Sequence, residues 1–170
     1  MGNRTGPERD WSNPEVHIQT NQDNINRRLP FINDYFSSYR QFLQITPEIS
    51  NQLISLKEKI VKCSNRGGTC YYLGNGGSAA MASHVAVDFT KAAGIRAINF
   101  NEADLITCFA NDYGYEHWVA KALEAYSDSG DLAILISSSG KSQNILNAAE
   151  KAKNIGLSVI TVSGFLQDNP

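Results

Sequence analysis

The sequence has no hydrophobic run approaching the ~20 residues of a membrane-spanning helix, so no membrane partner is expected. Residues 1–28 are polar with scattered charges and lack the apolar segment of a signal peptide. Cysteine is scarce. Cys63, Cys70 and Cys108 are odd in number and show no CxxC spacing, which excludes a disulfide framework and a cysteine-based zinc site. They read as reduced thiols of a cytoplasmic protein, packed as small apolar residues. Charge of one sign is also lacking. Fifteen basic against 17 acidic side chains leave a formal net charge of −2, without the basic footprint of a nucleic-acid-binding protein. No internal repeat is found. What is present is 170 residues of ordinary hydrophobic content, enough for one α/β domain with additional helix and a sizeable core.

The most informative stretch is DLAILISSSGKSQNILN, residues 131–147. Ala133, Ile134, Leu135 and Ile136 form an unbroken apolar run, as in a strand buried on both faces of a parallel sheet. The run stops in Ser137, Ser138, Ser139, Gly140, Lys141 and Ser142, and Ile145, Leu146, Ala149 and Ala152 then recur at helical spacing. Strand, serine-rich turn and helix start together make an anion seat. Backbone N–H groups and hydroxyls converge there at the positive end of the helix dipole. The same residues also fit an ordinary helix cap flanked by loop serines. Lys141 fits either a cation beside a bound phosphate or a solvent-exposed turn residue.

Ahead of this stretch, residues 1–30 are rich in Asn, Gln, Asp and Arg and read as a polar arm. Residues 31–66 read as N-terminal helices. Phe31, Tyr35, Tyr39, Phe42 and Leu43 recur at helical spacing. Thr46, Pro47 and Glu48 then start a second helix as N-cap, first helical residue and first-turn acid. These helices could cover a sheet face or pair with another subunit. Residues 67–170 read as the sheet domain. A first strand over 69–73 leads into Gly74-Asn75-Gly76-Gly77-Ser78 and a long helix over 79–92, giving a second strand–turn–helix anion seat. A second strand is expected over 95–100, short helices over 103–110 and 118–126, and a fourth strand over 157–162. Alternating strands and helices predict right-handed crossovers in a doubly wound, flavodoxin-like parallel sheet sandwiched by helices. Ligands of such sheets bind beyond the carboxyl ends of the strands, where both seats lie. GNGGS does not supply the GxGxxG spacing and no acid follows the second strand in a ribose-binding role, so no nucleotide cofactor is expected.

GNGGSAAMASH from Gly74 and ISSSGKS from Ile136 together resemble the sugar isomerase (SIS) domain family. Ala110-Asn111-Asp112-Tyr113-Gly114-Tyr115 resembles the NDxGY segment of its phosphoheptose isomerases, and the likeness runs over 71–164. The resemblance implies isomerisation of sedoheptulose 7-phosphate to an aldoheptose 7-phosphate for cell-surface heptose synthesis, on homotetramers whose sites draw on neighbouring subunits. Carried across by position, Asn75, Gly76, Gly77 and Ser78 would contact the phosphorylated sugar, as would Asn111 and Asp112. Ser137, Ser138, Ser139 and Ser142 would hold its phosphate. The catalytic pair would be His84 and Asp88, which share a helix face at i and i+4. Ketose–aldose interconversion through an enediol needs a base near the C–H and polar groups to steady the oxyanion. Without the resemblance, both residues also read as ordinary exposed helix positions.

This chain departs from the family pattern in three places. Asp88 stands where the family has Glu, which shortens the reach of the carboxylate by about one bond. Lys141 stands where a smaller polar residue is usual. Some members bind zinc through the histidine and acid of this helix, here His84 and Asp88, with Gln and His from a C-terminal helix. The sequence given stops at Pro170, short of the strand and long helix that supply that histidine in the family. The expected sheet domain is therefore incomplete at its C-terminal end. The rival expectation is a non-catalytic SIS domain serving as a sugar-phosphate sensor or as a scaffold of the replication-initiator-binding type.

Overall fold

The computed structural model describes residues 22–164. The expected arm thus lies largely outside the described residues, and so does the stretch after Gly164. The chain divides into two compact units, residues 1–47 and 48–170.

In the first unit, α1 runs Gln22–Phe42. It begins within the stretch read as a polar arm and continues through Pro30, which removes one backbone donor without ending the helix. Asn, Gln and Arg give no apolar period, so the sequence pattern announces this helix only from Phe31 onward. Phe31 stacks on Tyr35 at 6.4 Å between ring centroids, and Tyr35 meets Phe36 edge-on at 5.7 Å. Phe31, Tyr35, Tyr39 and Phe42 are nevertheless exposed.

The second unit holds α2 (Pro47–Asn65) and then alternates: β1 (Cys70–Gly74), α3 (Gly77–Ala93), β2 (Ala97–Ile98), α4 (Ala103–Tyr113), α5 (Trp118–Tyr126), β3 (Leu132–Ser137), α6 (Gln143–Asn154) and β4 (Ser158–Ser163). The four strands are all parallel, in the order β2-β1-β3-β4. This is the doubly wound α/β sheet that the alternation predicts. Every residue of β1 and β3 is buried, which explains why both read as near-continuous apolar runs.

The pleat sorts these strands into two cores. Tyr71, Leu73, Ala133 and Leu135 point to one side, where Trp118, Val119, Ala122 and Leu123 of α5 and Ile145, Ala148 and Ala152 of α6 pack. Cys70, Tyr72, Leu132, Ile134 and Ile136 point to the other, against Ile60 and Cys63 of α2 and Ala82 and Ala86 of α3. Burying a side chain such as Leu135 is worth about 2–3 kcal/mol. Burial also pushes the Cys70 thiol up to about 12, and it raises Cys63 as well, so both stay protonated as packing groups.

In the second unit, two further elements differ from expectation. β2 is two residues long, because the Asn99 side chain accepts the Asn101 N–H at 2.9 Å and turns the chain out of the sheet. α4 runs past the expected end at Ala110, through Asn111 and Asp112 to Tyr113. It ends at Gly114, whose N–H returns to the Ala110 carbonyl.

Candidate functional site

The β1–β3 pair sits at the centre of the sheet, and its register sets Gly74 beside Ile136. Both strands therefore end side by side, and the two turns expected to seat an anion leave the sheet at one place. The chain winds outward from β1 to β2 on one side, then returns past β1 to β3 and β4 on the other. The seam between β1 and β3 is thus the topological switch point, where doubly wound sheets open a crevice.

Gly74 is required at this seam. A Cβ built there would lie 2.9 Å from the Ile136 carbonyl oxygen and 2.8 Å from Ser78 Cβ. Next in the turn, Gly76 takes φ 53° and ψ −120° as the residue preceding α3. A side chain there would strain the backbone. With none, Gly76 offers no group to cap the helix. The cap position of α6 is Ser142, and it too makes no side-chain cap bond. Its hydroxyl lies 3.4 Å from that of Ser137, a buried residue at the end of β3. Both helix starts lack side-chain caps, and backbone carbonyls close them in part: the Asn75 carbonyl accepts the Ser78 and Ala79 N–H groups and the Ser142 carbonyl accepts that of Ile145.

The rest of the serine turn is ordered internally. Ser139 Oγ accepts the Lys141 N–H at 3.2 Å, and the Gly140 N–H donates to the Ser137 carbonyl at 3.0 Å. The Ser138 carbonyl accepts the Gly164 N–H at 3.0 Å, while the Lys141 side chain is exposed. A side-chain pair joins the two turns. Asn75 Nδ2 donates to Asn144 Oδ1 at 2.8 Å, and Asn144 Nδ2 donates to Asn75 Oδ1 at 2.9 Å. Asn144 was not singled out from sequence. Its position in the first turn of α6, two residues past Ser142, was the available signal.

The remaining expected residues lie further off. Asn111 and Asp112 sit exposed in the last turn of α4, where Asn111 Nδ2 donates to Asp112 Oδ1 at 3.0 Å. The link from this segment to the crevice is instead Tyr115, whose hydroxyl donates to Asn75 Oδ1 at 3.3 Å. His84 and Asp88 follow Gly77 by seven and eleven residues along α3. At the helical rise this is about 10 Å and about 16 Å. Ala82 and Ala86 hold the sheet-facing side of α3, so the pair, two residues further on, faces outward. Their side chains are 79% and 61% exposed, with His84 Nε2 3.4 Å from Asp88 Oδ2. The i,i+4 spacing does bring the two together, but on the outer flank of the helix. Among the described residues no cluster of three or more His, Cys, Asp or Glu forms. Two donors fall short of the three or four that zinc takes, so these residues do not by themselves make a zinc site. No described helix is long and apolar enough to cross a membrane.

Fold and site together define a doubly wound α/β domain whose two strand–turn–helix corners meet at the switch point. The chain belongs to the SIS domain family, whose model matches residues 34–164. It is 38% identical over 133 residues to a phosphoheptose isomerase of Thermodesulfovibrio yellowstonii, covering 72% of this chain and 66% of that protein. It is 35% identical over 119 residues to one from Cytophaga hutchinsonii, covering 67% of this chain and 62% of that protein. The chain thus spans just under two thirds of the length of these relatives. A solved phosphoheptose isomerase from Francisella tularensis superposes with a TM-score of 0.72 at 31% identity, over 81% of this chain and 74% of that one.

Proposed function

We propose that the chain carries the substrate crevice of a ketose/aldose phosphate isomerase. The reaction is conversion of sedoheptulose 7-phosphate to D-glycero-D-manno-heptose 7-phosphate through an enediol. The observation that carries this reading is the meeting of two uncapped helix starts at the β1–β3 seam, tied by the Asn75–Asn144 pair. The relatives named phosphoheptose isomerase support it. In this reading Ser137, Ser138, Ser139 and Ser142 receive the phosphate with the N–H groups of α6. Asn75, Gly76, Gly77 and Ser78 meet the sugar near that end, and Asn111 and Asp112 meet it further along. Because Asp88 lies on the outer flank of its own α3, it serves a ketose held by a neighbouring copy: there it takes the proton from C1 as the C2 carbonyl oxygen gains one, giving the enediol. The same carboxyl returns its proton to C2, and C1 becomes the aldehyde as its hydroxyl proton leaves.

The proposal includes a homo-oligomer, a tetramer by resemblance, in which a neighbouring copy covers the flank bearing His84 and Asp88. Its support is apolar: Met81 and Val87 are exposed on α3 beside the pair, and Phe31, Tyr35, Tyr39 and Phe42 are exposed on α1. Sedimentation as a monomer at micromolar concentration overturns this part. A cytoplasmic setting, consistent with three unpaired cysteines, belongs to the same proposal and is checked by cell fractionation.

Zinc enters only as a half-site. His84 and Asp88 would furnish two donors, and an ion there would draw the rest from outside the described residues. Metal analysis before and after chelation tests this, and a content near zero after zinc supplementation overturns it.

The exposure of Asp88 favours a second reading, a sugar-phosphate sensor or scaffold without turnover. Calorimetric titration with sedoheptulose 7-phosphate beside an isomerase assay separates the two. Binding with turnover is expected. Binding alone selects the sensor, and absence of both overturns the crevice as a sugar-phosphate site.

A further inference from the structure

Asn75 is the residue of the first turn whose side chain has its partners defined on three sides. Its Oδ1 accepts from Asn144 Nδ2 at 2.9 Å and from the Tyr115 hydroxyl at 3.3 Å. An amide oxygen has two lone pairs, and both are thereby engaged. Its Nδ2 gives one hydrogen to Asn144 Oδ1 at 2.8 Å, leaving one N–H. Asn144 is 3% exposed, so its amide is confined within the wall of the crevice, whereas Asn75 is half-buried.

Tyr115 is itself held in place from α6. One turn beyond Asn144 and on the same helix face, Asn147 Nδ2 donates to the Glu116 carbonyl at 2.8 Å. The first two turns of α6 thus fix both the amide plane of Asn75 and the segment that brings the Tyr115 hydroxyl to it.

We propose that Asn144 is a positioning residue: paired head to tail with Asn75 across the β1–β3 seam, it makes Asn75 a single fixed N–H donor to a ligand oxygen. This rests on the reading of Asn75 as a sugar contact. The group it suits is a carbonyl or hydroxyl oxygen of the sugar, an acceptor, and the phosphate remains with the serine turn. Without Asn144, the Asn75 amide can rotate and present either edge. The ligand then has to order it on binding.

The test is a double-mutant cycle on the full chain, read by calorimetry with two probes, sedoheptulose 7-phosphate and inorganic phosphate. Asn144→Ala is expected to weaken the sugar phosphate by about 3–10-fold, the worth of one hydrogen bond. Inorganic phosphate should change by less than about twofold. In an Asn75→Ala background the further effect of Asn144→Ala should also fall below about twofold, because a residue acting through Asn75 has nothing left to act on. An undiminished loss in that background overturns the proposal, as does equal weakening of both probes. Asn144→Leu keeps the volume, adds no charge near the phosphate and can neither donate to nor accept from Asn75, so it carries the test if the alanine variant fails to fold.

Failure of the functional reading is distinguishable, because the wild-type chain would then bind no sugar phosphate. The amide pair is in that case read by NMR in the 15N-labelled protein. The two Asn75 side-chain protons should differ in temperature dependence, and the difference should vanish in Asn144→Leu, which removes the acceptor of the Asn75 N–H. Equal behaviour in the wild-type chain overturns the inference.

Discussion

Replacing Asp88 by Asn is expected to lower isomerisation by at least about a hundredfold, the lower end of what a positioned base contributes. Affinity for sedoheptulose 7-phosphate should stay within about threefold. The substitution keeps the side chain's size and removes its ability to take a proton. Asp88 is 61% exposed and makes no contact with the core, so the fold should be indifferent to the change. A loss in kcat without a matching loss of binding is the signature of a group that acts after the substrate is bound. Undiminished turnover would remove Asp88 from the reaction. A parallel loss of binding would instead make it a substrate contact.

Gly74→Ala should produce the largest loss of stability of any single change at the site, about 3 kcal/mol. At this chain length that corresponds to a fall of about 6–12 °C in melting temperature. The added methyl group would meet the Ile136 carbonyl oxygen at 2.9 Å and the Ser78 backbone carbonyl carbon at 2.9 Å. Neither is the end of a flexible side chain, so relief requires β1 to part from β3 or α3 to move out. Either movement displaces Asn75 from Asn144, and sugar-phosphate affinity should fall with stability. Thermal melts of the purified variant with and without ligand measure both. A melting temperature within about 2 °C of the parent would show that the seam tolerates a side chain.

Much of this molecule was legible in the sequence because its central strands are buried on both faces. Residues 133–136 and the strand leading to Gly74 are apolar without alternation, and only a doubly covered sheet needs that. Helix α5 was likewise expected over the residues it occupies, and α2 begins at the proline that opens its pattern. Signals failed where a side chain's role depends on a distant partner. Asn144 in the sequence is one polar residue among several in a helix start; its meaning comes from Asn75, 69 residues away. The i,i+4 spacing of His84 and Asp88 says they share a face. Which way that face points was settled by Ala82 and Ala86 packing on the sheet. At β2, the stretch 95–100 promised a longer strand than the Asn99 side chain allows.

The bare beginnings of α3 and α6 bear on more than recognition. In most helices a Ser, Thr or Asp side chain closes the first turn and belongs permanently to the fold. Here Gly76 has nothing to offer and the Ser142 hydroxyl lies beside Ser137. In the proposed reading an arriving phosphate would take the place of the missing side-chain cap of α6, serving as a removable piece of secondary structure. The Asn75–Asn144 pair already ties this corner together in the empty chain, and an anion bound there would add to that hold by mass action.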